Sequence, residues 1–139
     1  MSRFGLPVVS GSQLSALSRA VLLLTGIGFL VFGAAAALAP SRTAGWTQLV
    51  LPTPSARIDF AATYGGFQLG FGLFLIACTQ TQGWIEPGLW AAVAALAGFA
   101  VVRLLGILRA GGRVHWAIWF ALALEVAGAA LNLWGLRHT

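Results

Sequence analysis

Four long runs of apolar residues, separated by shorter polar or glycine-rich stretches, dominate the pattern along the chain. The runs cover residues 20–39, 58–79, 89–108 and 114–136. Each is close to the ~20 residues that a helix rising ~1.5 Å per residue needs to cross the core of a bilayer. The pattern therefore predicts four membrane-spanning helices.

The connections between the runs predict how these helices are arranged. In the first connection two nearby prolines exclude a long helix, while Trp46 and the apolar residues 49–51 suit the headgroup layer. Turn-forming residues fill the second connection, and the third, RAGGR, is a Gly-Gly turn. Short connections make consecutive helices antiparallel neighbours. We therefore predict an all-α, up-down-up-down four-helix bundle with an interfacial loop between the first two helices.

The predicted bundle forms a single domain over residues 20–136. Residues 1–19 are expected to be a polar N-terminal tail or a short surface helix, and residues 137–139 a C-terminal tail. The first run ends in ALAP, which resembles a signal-peptide cleavage site. The run is too long for a signal peptide, however, and Pro40 would follow the cut, so we expect a retained spanning helix.

Composition identifies the medium in which this bundle folds. The chain is 59% hydrophobic and only 8% charged, and its mean hydropathy is +0.89. A water-soluble domain of 139 residues does not have that little polar surface. We therefore expect the lipid bilayer to be the main partner of the protein.

Arginine supplies all of the formal positive charge, with eight arginines and no lysine against two glutamates and one aspartate. The arginines lie mostly between the apolar runs, so they mark membrane boundaries and do not indicate a nucleic-acid partner. Those near the first and third connections are Arg42, Arg57, Arg109 and Arg113, and those on the other side are Arg3, Arg19 and Arg137. This small difference favours cytoplasmic first and third loops in a bacterial cytoplasmic membrane.

Glu125 is an ionisable residue within the fourth run, ~16 Å from its start and thus near the middle of the bilayer. A charge at that depth costs about 2.5–3.5 kcal/mol on insertion scales, so such residues usually face the bundle interior and have a partner. Arg103, ~7 Å deep in the third run, can extend further toward the middle. We therefore predict that Arg103 and Glu125 interact inside the bundle, although Arg103 extending to the interface is an alternative.

Two polar residues of the second helix enter the same half of the bilayer, Tyr64 at ~9 Å and Gln68 at ~15 Å. Because three helices bring polar groups to this region, we predict a ligand-sized cavity lined by Tyr64, Gln68, Arg103 and Glu125. A solid core, in which Tyr64 and Gln68 only form hydrogen bonds between helices, is the alternative.

Small residues indicate which helix faces pack, because they let helices approach closely in lipid. Gly128 shares the face of the glutamate on the fourth helix. Gly66 and Gly70 form a G-x-x-x-G stripe with Asp59, almost opposite the two polar residues of that helix. We predict that this stripe, and Gly65 beside it, pack on a neighbouring helix. Asp59 either stabilises the helix N-terminus or belongs to the polar cluster.

Residues for nucleophilic or metal chemistry are sparse. Cys78 lies in an apolar run and is expected to be a packed hydrophobe, while His115 and His138 have no second His or Cys at ligand spacing. We therefore predict no metal, and an enzyme is the third choice among function classes.

The segments ATYGGFQLGFGLFL and RLLGILRAGG, followed by the lone glutamate of the fourth helix, resemble a bacterial family of four-helix membrane proteins of unknown function. That family is similar to the DoxX-like group. The resemblance implies that Tyr64, Gly65, Gly66, Arg103 and Glu125 are characteristic positions. The family is expected to carry a basic residue where this chain has Ala61, so an ion pair with Asp59 would require Arg57 in its place.

Two classes of function are compatible with these residues. The first is a small non-catalytic membrane protein that holds a lipophilic ligand, a quinone or a lipid, or a membrane partner at the polar cluster. It would act as an accessory subunit of a larger complex or as a homo-oligomer. The second is a proton-coupled small-solute carrier in which Glu125 titrates. It would work as an oligomer, because dimerising duplicates the four helices. We favour the first, because carriers commonly show inverted repeats and none is evident.

Overall fold

The computed structural model of the chain describes residues 11–139, and this part of the chain is helical throughout apart from short connections. Its elements in chain order are α1 (Gly11–Leu38), α2 (Pro40–Gly45), α3 (Pro54–Phe60), a π-helical segment (Ala61–Gly66), α4 (Phe67–Cys78), α5 (Gln82–Arg109) and α6 (Trp116–Leu136). The consecutive elements from α3 to α4 form one continuous rod, which we call the second span. The predicted all-α class is confirmed.

Four helices in this part of the chain are long and apolar enough to cross a membrane. They are Ser15–Leu38, Pro54–Cys78, Gln82–Arg109 and Trp116–Leu136. They agree in number and order with the four predicted helices, which supports an integral membrane protein.

Two helices begin earlier than the sequence pattern predicts. Helix α1 starts at Gly11, so residues 11–19 continue the first helix; the rest of the predicted N-terminal tail lies outside the described residues. Helix α5 starts at Gln82 and contains Pro87. Pro87 lies in the second turn of α5, so the helix lacks the backbone hydrogen bond that its N–H would donate. The second connection is therefore limited to residues 79–81.

The first connection contains a short helix and a capped helix start, as its prolines require. Helix α2 begins at Pro40, and α3 begins at Pro54, where a proline fits because the first helical N–H groups have no partner in the helix. The backbone N–H of Ala56 donates to Thr53 Oγ1 at 3.1 Å, which caps α3. Trp46 is 53% exposed, as a side chain in an interfacial loop is expected to be.

The glycines of the third connection end α5 and reverse the chain. Gly111 and Gly112 have φ of 62° and 75°, a region that side chains other than glycine rarely adopt. The N–H of Gly112 donates to Ile107 O at 2.9 Å and that of Gly111 to Leu108 O at 3.0 Å, which is the Schellman pattern. This turn aligns α5 antiparallel to α6.

The spans pack as two close pairs, α1 with the second span and α5 with α6. Helix α1 also contacts α6 through hydrogen bonds: Ser18 Oγ donates to Gly135 O at 2.9 Å, and Asn132 Nδ2 donates to Thr25 Oγ1 at 2.9 Å. Because these contacts join the start of α1 to the end of α6, both lie at one end of the bundle. The first and third connections lie at the other end.

The main apolar core lies at the end with the second connection. Its buried residues are Leu22, Phe29, Leu75, Cys78, Ile85, Leu89 and Ala92. At the opposite end a separate cluster of Ala36, Ala44 and Phe60 fills only the first connection. There the π-helical segment packs on α1 and has little contact with α5 or α6. The two helix pairs are therefore less tightly joined at that end.

Glycines spaced seven residues apart allow α1 to approach the second span closely. A Cβ at Gly65 would lie 2.7 Å from the Ala37 backbone nitrogen, and one at Gly72 would lie 2.7 Å from Gly26 O. Gly33 faces Leu69 and Gln68 at similar distances. The backbones thus meet where small residues face each other.

Of the glycines predicted to pack on a neighbouring helix, Gly65 does so, whereas a Cβ at Gly66 or Gly70 would meet nothing within 4 Å in the described part of the chain. The helix has small residues on two faces. The face that packs on α1 carries Gly65 and Gly72, seven residues apart, so the G-x-x-x-G spacing indicated the wrong face. Gly128 does pack, because its Cβ would lie 2.9 Å from Leu96 Cδ1.

Candidate functional site

The centre of the candidate site is an ion pair between α5 and α6. Arg103 Nη2 donates to Glu125 Oε1 at 2.6 Å, and Arg103 Nε lies 2.9 Å from Oε2 and 3.1 Å from Oε1. The guanidinium therefore holds both carboxylate oxygens, the geometry that makes arginine pairs strong. The Arg103 side chain is 27% exposed and that of Glu125 is 11% exposed. The structure thus brings together the two charges that the sequence predicted to interact.

The turn between α5 and α6 brings this pair together within the membrane. Arg103 lies ~9 Å from the C-terminal end of α5 and Glu125 ~14 Å from the start of α6, at ~1.5 Å per residue. The long arginine side chain spans the remaining difference in depth. Each charge would be costly alone in lipid, so each gives the other its required partner.

Tyr64 lies in the π-helical segment of the second span. Its ring stacks on Phe60 with centroids 4.6 Å apart. The side chain is 43% exposed and forms no hydrogen bond within residues 11–139. The Tyr64 hydroxyl is therefore accessible and available to a ligand.

Gln68 lies one helical turn after Tyr64, on the inner side of the second span. It is only 6% exposed and lies against Gly33 of α1. Its Oε1 is buried and accepts no hydrogen bond within the described residues. A buried acceptor without a partner is unusual, because most buried polar groups in proteins are hydrogen-bonded.

The residues around Tyr64 form a π-helical segment, Ala61–Gly66, which the sequence did not predict. The N–H of Phe67, at its end, donates to Ala62 O, five residues back instead of four. Such a turn rotates the residues after it relative to those before it. A helical wheel drawn at 100° per residue therefore does not predict which residues on either side of the segment share a face. π-Helical turns occur frequently at functional sites.

The structure shows a shallow depression lined by Ser15, Ala16, Arg19, Ala20 and Leu23, at the end of the bundle away from the predicted site. The cavity predicted between Tyr64, Gln68, Arg103 and Glu125 stays a prediction. Of these four polar residues, Tyr64 and Arg103 stay partly exposed. We call this group the polar opening.

Two further sequence candidates, Asp59 and His115, lie on α3 and at the start of α6. Asp59 is exposed on α3 and forms no ion pair within the described residues, so Arg57 does not replace the basic residue expected at position 61. In the same part of the chain no group of three or more His, Cys, Asp or Glu side chains is placed to hold a metal. His115 caps α6, because its Nδ1 accepts from the N–H of Ala117 at 3.4 Å.

The half of the bundle nearer the second connection has hydrogen bonds between helices that the sequence did not predict. Asn132 is fully buried, and its Nδ2 donates to Gly128 O at 2.8 Å as well as to Thr25. Ser18 is buried and donates a hydrogen bond to Gly135 O of α6, although the sequence predicts it in a polar tail. A signal was present in the sequence, since Ser18, Thr25 and Asn132 are polar residues within or beside apolar runs.

Comparison with protein-family models matches residues 17–136 to the family described as "Domain of unknown function (DUF4345)". No curated protein matches the chain. No solved structure matches it either.

Proposed function

The chain belongs to this family of unknown function, and from that premise we propose that it is a small, non-catalytic membrane protein that binds a lipophilic ligand at the polar opening. The ligand would be a lipid or a quinone, and the protein would serve as an accessory subunit in a bacterial cytoplasmic membrane. The proposal is supported by the accessibility of the Arg103–Glu125 pair.

The exposure of the arginine carries the argument. An ion pair that only joined two helices needs no access from outside the protein, but the Arg103 side chain is 27% exposed. Its Nη1 forms no hydrogen bond within residues 11–139, and neither does the Tyr64 hydroxyl. Polar groups that converge in an apolar setting are typical of a site that orients one polar head of a ligand.

The same geometry favours binding over proton-coupled transport. Glu125 accepts three hydrogen bonds from the guanidinium. The carboxylate must lose that partner before it can exchange a proton with a substrate pathway. A carboxylate held by a guanidinium in this way suits a binding site better than a carrier whose carboxylate must gain and lose a proton.

An inventory of bound lipids tests the proposal. Protein purified in mild detergent should retain a lipophile in roughly stoichiometric amount, measured by mass spectrometry of the extracted lipids and quinones. Tyr64→Phe and Arg103→Lys should each retain less of it, because the first removes a hydroxyl and the second the planar fork of donors. Arg109→Lys is the matched control, since Arg109 is exposed on the same helix.

Two results would contradict the proposal. One is an identical lipid inventory for the wild-type protein and all three folded variants. The other is substrate uptake into liposomes under an imposed pH gradient that Glu125→Gln abolishes, which would establish the carrier instead.

A further inference from the structure

We infer that the protein has a second binding site, near the start of α1, which takes the phosphate of an anionic phospholipid. The site is the shallow depression that Arg19 lines. It does not depend on the proposed function, because it lies at the opposite end of the bundle from the polar opening and shares no residue with it. Its basis is an arginine at the membrane boundary that no carboxylate of the described residues neutralises.

The depression has a polar end and an apolar end. Its volume is about 380 Å³, comparable with the smaller ligand pockets of proteins. The first span begins at Ser15, so Ser15 and Arg19 lie within ~6 Å of its start, whereas Leu23 lies ~12 Å inside it. The small side chains of Ala16 and Ala20 line the rest. The lining therefore changes from polar at the boundary to apolar within the membrane.

Arg19 uses few of its hydrogen-bond donors within the protein. Its exposed guanidinium donates from Nη2 to Gln82 Oε1 at 3.5 Å, which is long for a hydrogen bond. It forms no ion pair within residues 11–139, although Glu86 lies one helical turn after Gln82 on α5. Arginine has five N–H groups in a planar fork that matches the geometry of a phosphate. Most of these donors are unused by the part of the chain that the structure describes.

The membrane supplies an anion of matching chemistry at this depth. Lipid phosphates lie at the boundary, where basic side chains attract anionic lipids. With its phosphate at Arg19, a phospholipid could extend its acyl chains over Ala20 and Leu23 toward the bilayer core. Inorganic phosphate would leave this apolar end unfilled, and a zwitterionic head carries its own cation for the phosphate. The depression thus favours a lipid whose head has a net negative charge.

Lipid titrations test this preference. The full-length protein, purified in mild detergent and stripped of lipid, is titrated with dioleoylphosphatidylglycerol or dioleoylphosphatidylcholine, and bound lipid is counted by native mass spectrometry. We expect phosphatidylglycerol to bind about fivefold more tightly, the ratio that one arginine near an anionic head provides. Sodium phosphate at the same concentration as the lipid should not displace it.

Two variants distinguish the charge from the shape of the site. Arg19→Gln removes the charge, so its affinity for phosphatidylglycerol should fall about fivefold, to that for phosphatidylcholine. Ala20→Leu keeps the charge and fills the depression, so it should weaken the binding of both lipids. Both positions are exposed on α1, so the Tm without lipid should stay close to that of the wild type. Arg137→Gln is the matched control, because Arg137 is exposed at the same end and does not line the depression; it should keep wild-type affinities.

Three results would overturn the inference. Equal affinities of the wild type for the two lipids would exclude selection of an anionic head. Displacement by sodium phosphate would identify a site for free anions, and equal losses in Arg19→Gln and Arg137→Gln would identify general surface charge. The proposed function is tested separately, because Tyr64→Phe should lose the copurified lipophile of the polar opening and keep wild-type binding of phosphatidylglycerol.

Discussion

Arg103 and Glu125 hold each other through three hydrogen bonds although both lie within spanning helices. Two opposing effects set the free energy of such a pair. Removing the charges from water is unfavourable, while their attraction in an apolar medium is strong. Replacing both partners by apolar residues is therefore much less harmful than removing one. The pair is only partly buried, which moderates both effects.

A double-mutant cycle measures this asymmetry. Arg103→Met and Glu125→Met should each lower the free energy of unfolding by about 3 kcal/mol, because each leaves an unpaired charge. The double variant should recover most of that loss. Unfolding by sodium dodecyl sulfate in mixed micelles provides the measurement.

Arg109→Met is the control for the cycle, because Arg109 is exposed at the end of the same helix. It should change stability by no more than about 0.5 kcal/mol. Additive losses in the double variant would contradict a direct interaction between Arg103 and Glu125.

At the scale of elements, the second span differs most from what the sequence predicts. The apolar run predicts that this helix exists. It does not predict which face packs on α1, because small residues lie on two faces and the π-helical segment rotates the residues after it relative to those before it. The pairing of Arg103 with Glu125 was predictable, since a charge in lipid needs a partner. The burial of Gln68 and the exposure of Tyr64 were not, because they depend on how this one helix is rotated.

Adjacent glycines in the π-helical segment should respond oppositely to substitution. A Cβ at Gly65 would lie 2.7 to 2.8 Å from backbone and side-chain atoms of Ala37, whereas one at Gly66 would meet nothing within 4 Å. Gly65→Ala should therefore destabilise by about 1–3 kcal/mol, as overpacking does. Gly66→Ala should be neutral or stabilising by up to about 1 kcal/mol, because alanine favours helix. Equal effects in the same unfolding assay would refute the packing of α1 on this face.

Two glycines at the end of α5 form a second matched pair. Gly111 has φ of 62° and ends the helix, whereas Gly106 is helical and a Cβ there would meet nothing within 4 Å. Gly111→Ala should lower the free energy of unfolding by about 1 kcal/mol, since alanine is strained at positive φ. Gly106→Ala should raise it by up to about 1 kcal/mol. A stabilising effect of Gly111→Ala, seen in the thermal unfolding curve, would argue against the turn.

At the scale of the molecule, most of the helical surface faces outward. In the most apolar part of the fourth span only 11% of residues are buried inside the protein. Such a surface requires lipid or another membrane protein around it, because exposed apolar area of this extent is not stable in water. All six tryptophans are between 42% and 69% exposed, and most lie near the ends of the spans, where aromatic side chains suit the interface.

The arrangement of the spans predicts which connections share a side of the membrane. Ser18 bonds Gly135 at one end, so the C-terminus lies with the second connection, and the first and third connections lie together at the other. In a Cys78→Ala background, Thr139→Cys and Gln80→Cys should react with an impermeant maleimide from one side. Thr47→Cys and Arg113→Cys should react only from the opposite side.

The arginines decide which of these sides is cytoplasmic. Exposed arginines at the end with the first and third connections are Arg42, Arg57, Arg109 and Arg113, whereas the other end has Arg19 and Arg137 within the described residues. Because loops rich in arginine stay in the cytoplasm, Thr47→Cys and Arg113→Cys should be labelled in inside-out vesicles and protected in intact cells. Labelling of these two sites from opposite sides would contradict the fold, because they lie at one end of an antiparallel bundle. Labelling of both in intact cells would leave the fold unchanged and reverse the orientation.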